Sequence, residues 1–162
     1  MKAFITARID KTQVDRLIGN GFEVEQGGFG LTGYYYGGQG IGTMGQMLDG
    51  FGGAALTAIS ARDSDGGYVQ ATYALPTKTK VGISWGTSRL DLANGETTAT
   101  GATTALASGL LVKENEMWTG GIYHPLTKHL NLVAEFNDLE STSQLNAKNK
   151  ATSMSLGAIL FF

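Results

Sequence analysis

Few residues in this chain have the types and spacing that chemistry requires. Gly40-Ile-Gly-Thr-Met-Gly45 spells the G-x-G-x-x-G of a dinucleotide-binding turn, with Asp63 and Asp65 about 20 residues further on. That turn works by delivering pyrophosphate to a helix N-terminus. Here the following Gln46-Met-Leu-Asp-Gly-Phe-Gly-Gly53 carries three glycines and disfavours a helix. No cofactor is expected. His124 and His129 flank a turn at a spacing of five, miss the helical i, i+4 spacing and have no third ligand nearby, so they read as residues of a solvated turn and not as metal ligands. Arg62-Asp-Ser-Asp65 holds a bare D-x-D, which reads as a solvated loop end sooner than as a calcium site. No Ser stands in G-x-S-x-G. The chain is expected not to be an enzyme.

Composition narrows what could position the remaining polar residues. The 162 residues include no Cys, which excludes disulfides and thiolate metal sites. Only 16% are charged, against roughly 25% in soluble domains. The net charge of −2, without a basic patch, implies no nucleic-acid partner. No run approaches the ~18 apolar residues of a membrane-spanning helix. Gly occurs 24 times, about twice ordinary usage, and Pro only twice. Small uncharged residues alternating with Ser, Thr, Asn and Gln fit a transmembrane β-barrel, whose strands face lipid on one side and water on the other.

Period-two patterning runs through most of the chain. Met154, Leu156, Ala158, Leu160 and Phe162 share one face of the last segment, opposite Ser153, Ser155 and Gly157. Leu130, Leu132, Ala134 and Phe136 alternate with Asn131, Val133, Glu135 and Asn137. Residues 118–123 form another strand of ambiguous apolar phase. Val69, Ala71, Tyr73 and Leu75 oppose Tyr68, Gln70, Thr72 and Ala74, while Val81, Ile83 and Trp85 oppose Lys80, Gly82 and Ser84. Phe29, Leu31, Gly33 and Tyr35 mark one more strand, in residues 28–36. Six strands are therefore expected. Pro76 and Pro125 sit in short links, whereas 37–65, 91–113 and 138–149 are long connections. Short turns at one end and long loops at the other are a barrel pattern.

The polar faces nominate Gln70, Thr72, Lys80, Ser84, Asn131, Glu135 and Asn137 as pore-lining residues. Glu135 either biases conduction toward cations or simply solvates a wet wall. Tyr73, Tyr123 and Phe162 are expected near one rim, as an aromatic girdle. Trp85 and Trp118 read as lipid-facing or girdle residues. Residues 1–27 are left unassigned: Ala3, Ile5, Ala7 and Ile9 alternate like a strand, but Val14, Leu17 and Ile18 before Gly19-Asn-Gly21 suit a short capped helix. The apolar run after Met1-Lys2 is too short for a signal peptide, so a fragment of an exported protein is expected.

Gly120-Gly-Ile-Tyr-His-Pro-Leu-Thr-Lys-His-Leu-Asn-Leu-Val-Ala-Glu-Phe136 resembles the Tyr-x-Leu-Ser-Lys-Arg-Thr-x-x-Tyr turn motif of Gram-negative general porins, with Thr127 in the Ser place and His129 in the Arg place. Arg62-Asp-Ser-Asp-Gly-Gly-Tyr-Val-Gln-Ala-Thr-Tyr73 and Gly30-Leu-Thr-Gly-Tyr-Tyr-Tyr36 are similar to late-barrel strands of that family, and Phe162 resembles the terminal signal of the barrel-assembly machinery. The resemblance covers residues 28–162. It implies an all-β fold, an antiparallel transmembrane β-barrel of which this chain holds about six to eight strands; family members close with roughly 16. It further implies the outer membrane as location, homotrimers in the full-length parent, contact with outer-membrane lipid and lipopolysaccharide, and passive diffusion of small hydrophilic solutes and ions. The family's inward-folded constriction loop would lie outside this chain. Two alternatives stay open: a small complete barrel of about eight strands with an anchoring role, and a soluble β-sandwich binding module.

Overall fold

The computed structural model describes residues 2–10, 14–42, 49–52, 59–96 and 111–162, with side chains from residue 19 onward. The described residues are all-β and contain no helix. The strands are β1 (Lys2–Asp10), β2 (Val14–Gln26), β3 (Phe29–Gln39), β4 (Phe51–Gly52), β5 (Ser60–Ala61), β6 (Asp63–Ala74), β7 (Lys80–Leu90), β8 (Val112–Pro125), β9 (Leu130–Ser143) and β10 (Lys148–Leu160). Eight of them form one antiparallel sheet in the order β1-β2-β3-β6-β7-β8-β9-β10, and β4 pairs with β5 inside the β3–β6 excursion. Each long strand is hydrogen-bonded to its neighbour in sequence, so every connection is local.

Turn chemistry fixes the registers. Gly27 and Gly28, at φ 58° and 85°, make the two-residue β2–β3 hairpin, in which both positions need φ > 0 and glycine supplies it without steric cost. In the β6–β7 link Leu75 N donates to Thr79 O and Lys78 N to Leu75 O, with Pro76 at the position its fixed φ suits and Lys78 in the left-handed region at φ 63°. The β9–β10 link repeats this geometry with Asn146 at φ 62°.

Two expectations from the sequence change here. Residues 1–27 are not helical where they are described: they supply β1 and β2, so β3 is not an edge. The supposed long connection at 138–149 is instead a tight hairpin, because β9 runs on to Ser143 and β10 begins at Lys148. Strand pairing outlasts the apolar pattern, continuing through polar residues such as Asp138–Thr152 and Glu140–Lys150. Among the described residues the β3–β6 and β7–β8 connections remain the long ones, and they leave from the same end of the sheet.

Among the described residues no second layer covers the sheet. The chain exposes 11035 Å², against roughly 7800 Å² for a compact monomer of this size. Among the described residues the buried apolar side chains are Ile41, Leu90 and Ala93, and all three lie where the long connections meet the sheet. Every residue of β10 is exposed. The sheet is open, with β1 and β10 as its edges, and is not a closed barrel.

Candidate functional site

Strand register sorts the side chains onto two faces with opposite chemistry. Cross-strand partners share a face, so the ladder can be followed from Phe29 through Tyr73, Val81, Ile122 and Ala134 to Leu156. A second row passes through Gly33, Val69, Trp85 and Trp118. This face is apolar and uncovered: Leu156 is 80% exposed, Ile83 54% and Phe136 51%. Along β9 the apolar positions run from Leu130 to Phe136, a height of roughly 20 Å at a strand rise of about 3.4 Å per residue. The register also settles the phase of β8, with Trp118, Gly120 and Ile122 on the apolar face.

Charge marks the upper limit of that belt. Toward the long connections the same face carries Asp65, Arg89, Glu114, Glu116, Glu140 and Lys150. Arg89 Nε lies 2.9 Å from Glu114, Lys148 Nζ 2.5 Å and Lys150 Nζ 2.8 Å from Glu140. Hydrogen bonds from these two ammonium groups hold the Glu140 carboxyl, beyond the belt, down to about 2. Trp85 and Trp118 sit just beneath, their ring centroids 6.3 Å apart, and Trp85 Nε1 donates to Glu116 Oε1 at 2.7 Å. An indole with its ring among apolar groups and its N–H on a carboxylate suits a boundary between oil and water.

The opposite face is mainly polar, with Met117 and Leu139 continuing the row of Tyr68 and Gly86. Gln70, Ser84, Thr119 and Asn137 form one cross-strand row, and Thr72, Gly82, Gly121 and Glu135 the next. Lys80 pairs with Tyr123 in the row after that, and Asn131 lies on the same face nearer the turn. The seven residues nominated as pore-lining therefore share one face. Thr119 Oγ1 donates to Asn137 Oδ1 at 2.7 Å, and Tyr123 Oη to Glu135 Oε1 at 2.5 Å. At belt height Glu23, Glu25 and Glu135 share this face with Lys80 and with Lys2, the cross-strand partner of Glu23, which leaves a small negative balance.

Tyr123 corrects an expectation. It lies at the rim shared by Tyr73 and Phe162, but on the polar face, bonded to Glu135, so it is not a girdle residue. Tyr73, beside Phe29 and Val81, does lie on the apolar face. Phe162 is fully exposed, one residue beyond Phe161, whose N–H donates to His129 O at 2.8 Å. The two histidines belong to the same end: His124 Nδ1 meets Thr79 Oγ1 at 2.9 Å and His129 Nδ1 meets Phe161 O at 3.2 Å. No group of three His, Cys, Asp or Glu able to hold a metal occurs among the described residues. The G-x-G-x-x-G lies outside the described residues from Thr43 onward, and Gly40 and Gly42 adopt φ of 76° and 72°.

Arg62 overturns another expectation, since it is not a solvated loop residue. Its guanidinium is 7% exposed and forms a two-pronged ion pair with Glu96, itself 4% exposed, with Nε–Oε2 at 2.8 Å and Nη2–Oε1 at 2.5 Å. Nη1 donates to Asp49 O at 2.6 Å, and Glu96 Oε2 accepts from Ala93 N at 2.7 Å. The planar fork matches a carboxylate and satisfies the charge that burial would otherwise penalise. Gly52 makes the packing possible, because a Cβ there would collide with both partners. The pair ties the β3–β6 excursion to the β7–β8 connection, and Gln144 Nε2 adds the β9–β10 hairpin by donating to Leu90 O at 2.6 Å.

The sequence also left unremarked a row of tyrosines on the polar face. Tyr34 and Tyr68 are direct cross-strand partners with ring centroids 6.4 Å apart, and Tyr36 lies 6.3 Å from Tyr34. Three consecutive tyrosines at 34–36 necessarily send two to one face and one to the other, which is the signal that could have revealed it.

No protein-family model matches the chain, and no curated protein matches it.

Proposed function

We propose that the chain forms part of the wall of an outer-membrane general-diffusion porin, and that it transports passively and catalyses nothing. The observation that carries this reading is the two-faced sheet. An uncovered apolar belt roughly 20 Å high, bounded by tryptophans and charges, backs onto a polar wall of amide, hydroxyl and carboxylate groups. A soluble sandwich would bury that apolar face against a second sheet, and none covers it among the described residues. In lipid the same face needs no cover, and the strands of 11–14 residues from β3 to β10 in the main sheet suffice to cross a bilayer. Backbone groups at the edges β1 and β10 would then pair with further strands that close the pore.

In this reading β10 and Phe162 engage the barrel-assembly machinery, the belt contacts lipid, the charged zone above it meets lipopolysaccharide, and complete barrels associate as trimers. Solutes pass the wet wall, where Glu23, Glu25 and Glu135 outnumber Lys2 and Lys80 and favour cations. Planar-bilayer recordings of the complete barrel test this: stepwise, cation-preferring conductance is expected, and a silent bilayer at every voltage would contradict it.

The strand count favours one second reading, a small eight-stranded barrel with an anchoring role, since eight is the smallest number among bacterial barrels. Such an interior is filled by side chains. Here polar-face tyrosines lie down over glycines, Tyr34 over Gly19 and Gly21 and Tyr123 over Gly121, which suits a wide lumen better. The same recordings separate the two, because the small barrel would not conduct.

A further inference from the structure

Tyr34, Tyr36 and Tyr68 are aromatic surface where the proposed function needs none. They stand on the polar face, so neither lipid contact nor a lipid-boundary girdle explains them. Their placement depends on glycine: a Cβ at Gly21 would come within 3.2 Å of the Tyr34 ring, and one at Gly66 within 2.8 Å of Tyr36 Cζ. The rings therefore lie along the wall instead of standing out from it. Tyr34 remains 40% exposed and Tyr68 43%, so ring surface faces the solvent side of the sheet. Tyr36 Oη is held by donating to Ser88 Oγ at 3.0 Å. Spacings of 6.3 and 6.4 Å, with interplanar angles of 30° and 38°, make a continuous track three rings long.

The surroundings decide what such a track takes. The cross-strand neighbours of these rings on the same face are Gly19, Gly21, Gly66 and Gly86, and the next positions along the strands include Thr32 and Gln70. None is charged, so a cation held over the ring faces would have no counter-charge beside it. A neutral ligand with apolar flat faces and a hydroxyl rim fits both the rings and the amide and hydroxyl groups around them. We propose that Tyr34, Tyr36 and Tyr68 form a stacking platform for a neutral oligosaccharide of two or three sugar rings. The proposal rests on the polar face being the wet face.

The test is calorimetric titration of maltotriose into the full chain refolded in detergent. Saturable binding is expected, weakened about five- to tenfold by Tyr34→Leu and by Tyr68→Leu, which keep bulk but lose the flat face. Tyr34→Phe should retain it to within about twofold, and Tyr35→Leu, on the opposite face, should leave it unchanged. Absence of saturable heat, or equal weakening by Tyr35→Leu, overturns the platform. If the leucine variants do not refold, acetylation of the wild-type tyrosines replaces them: maltotriose should shield Tyr34 and Tyr68 but not Tyr35, and equal shielding overturns the proposal. Conductance without sugar binding would defeat the platform alone, whereas sugar binding by a chain whose apolar face stays out of lipid would defeat the porin-wall reading alone.

Discussion

At the residue scale, the Arg62–Glu96 pair is the contact most sensitive to change. Both groups are almost fully buried, so removing one leaves the other's charge without its counter-charge. Arg62→Ala should cost about 3–5 kcal/mol of stability and open the long connections to protease. The double change Arg62→Met with Glu96→Leu, which removes both charges, should recover most of that loss in thermal unfolding. Glu135 is different in kind, because it stands on an open wall where, among the described residues, Tyr123 donates to it. Glu135→Gln should leave the fold intact and lower cation preference, read as a reversal-potential shift toward zero in a salt gradient. Sequence placed Glu135 correctly because alternation alone decides which face it occupies. It missed the ion pair because Arg62 and Glu96 are 34 positions apart and nothing periodic links the segments that hold them.

At the element scale, the strands were legible wherever an apolar residue recurred at every second position, as from Leu130 to Phe136. Their ends were not. Beyond the belt β9 and β10 keep their ladder through Asp138, Glu140, Lys148 and Lys150, where cross-strand ion pairs and hydrogen bonds replace apolar contacts, and a polar hairpin has the composition of a loop. The apolar phase of β8 was ambiguous for a related reason: Gly120-Gly121 contributes no side chain to either face, and only the pairing with β7 and β9 resolves it. Turn geometry yields a prediction at this scale. Lys78 holds φ 63°, a region that costs a non-glycine residue roughly 1–2 kcal/mol. Its N–H bond to Leu75 O is available to any residue. Lys78→Gly should therefore raise stability by about 1 kcal/mol in urea unfolding from detergent. An unchanged or lowered midpoint would show that the turn relaxes.

At the scale of the whole molecule, the two faces predict opposite responses to charge. Leu132→Arg places a guanidinium on the belt and should cost about 2–4 kcal/mol in lipid, read as loss of membrane insertion. Asn131→Arg, one residue away on the polar face, should insert normally. The chain carries its own probes for the central claim, since both of its tryptophans, Trp85 and Trp118, lie on the apolar face. Fluorescence of the unmodified chain refolded into vesicles containing brominated phospholipid tests it most directly. Blue-shifted emission, strongly quenched by the brominated chains and little affected by aqueous iodide, is expected. Emission at the wavelength of exposed indole, quenched by iodide and indifferent to bromine in the lipid, would contradict a lipid-facing belt.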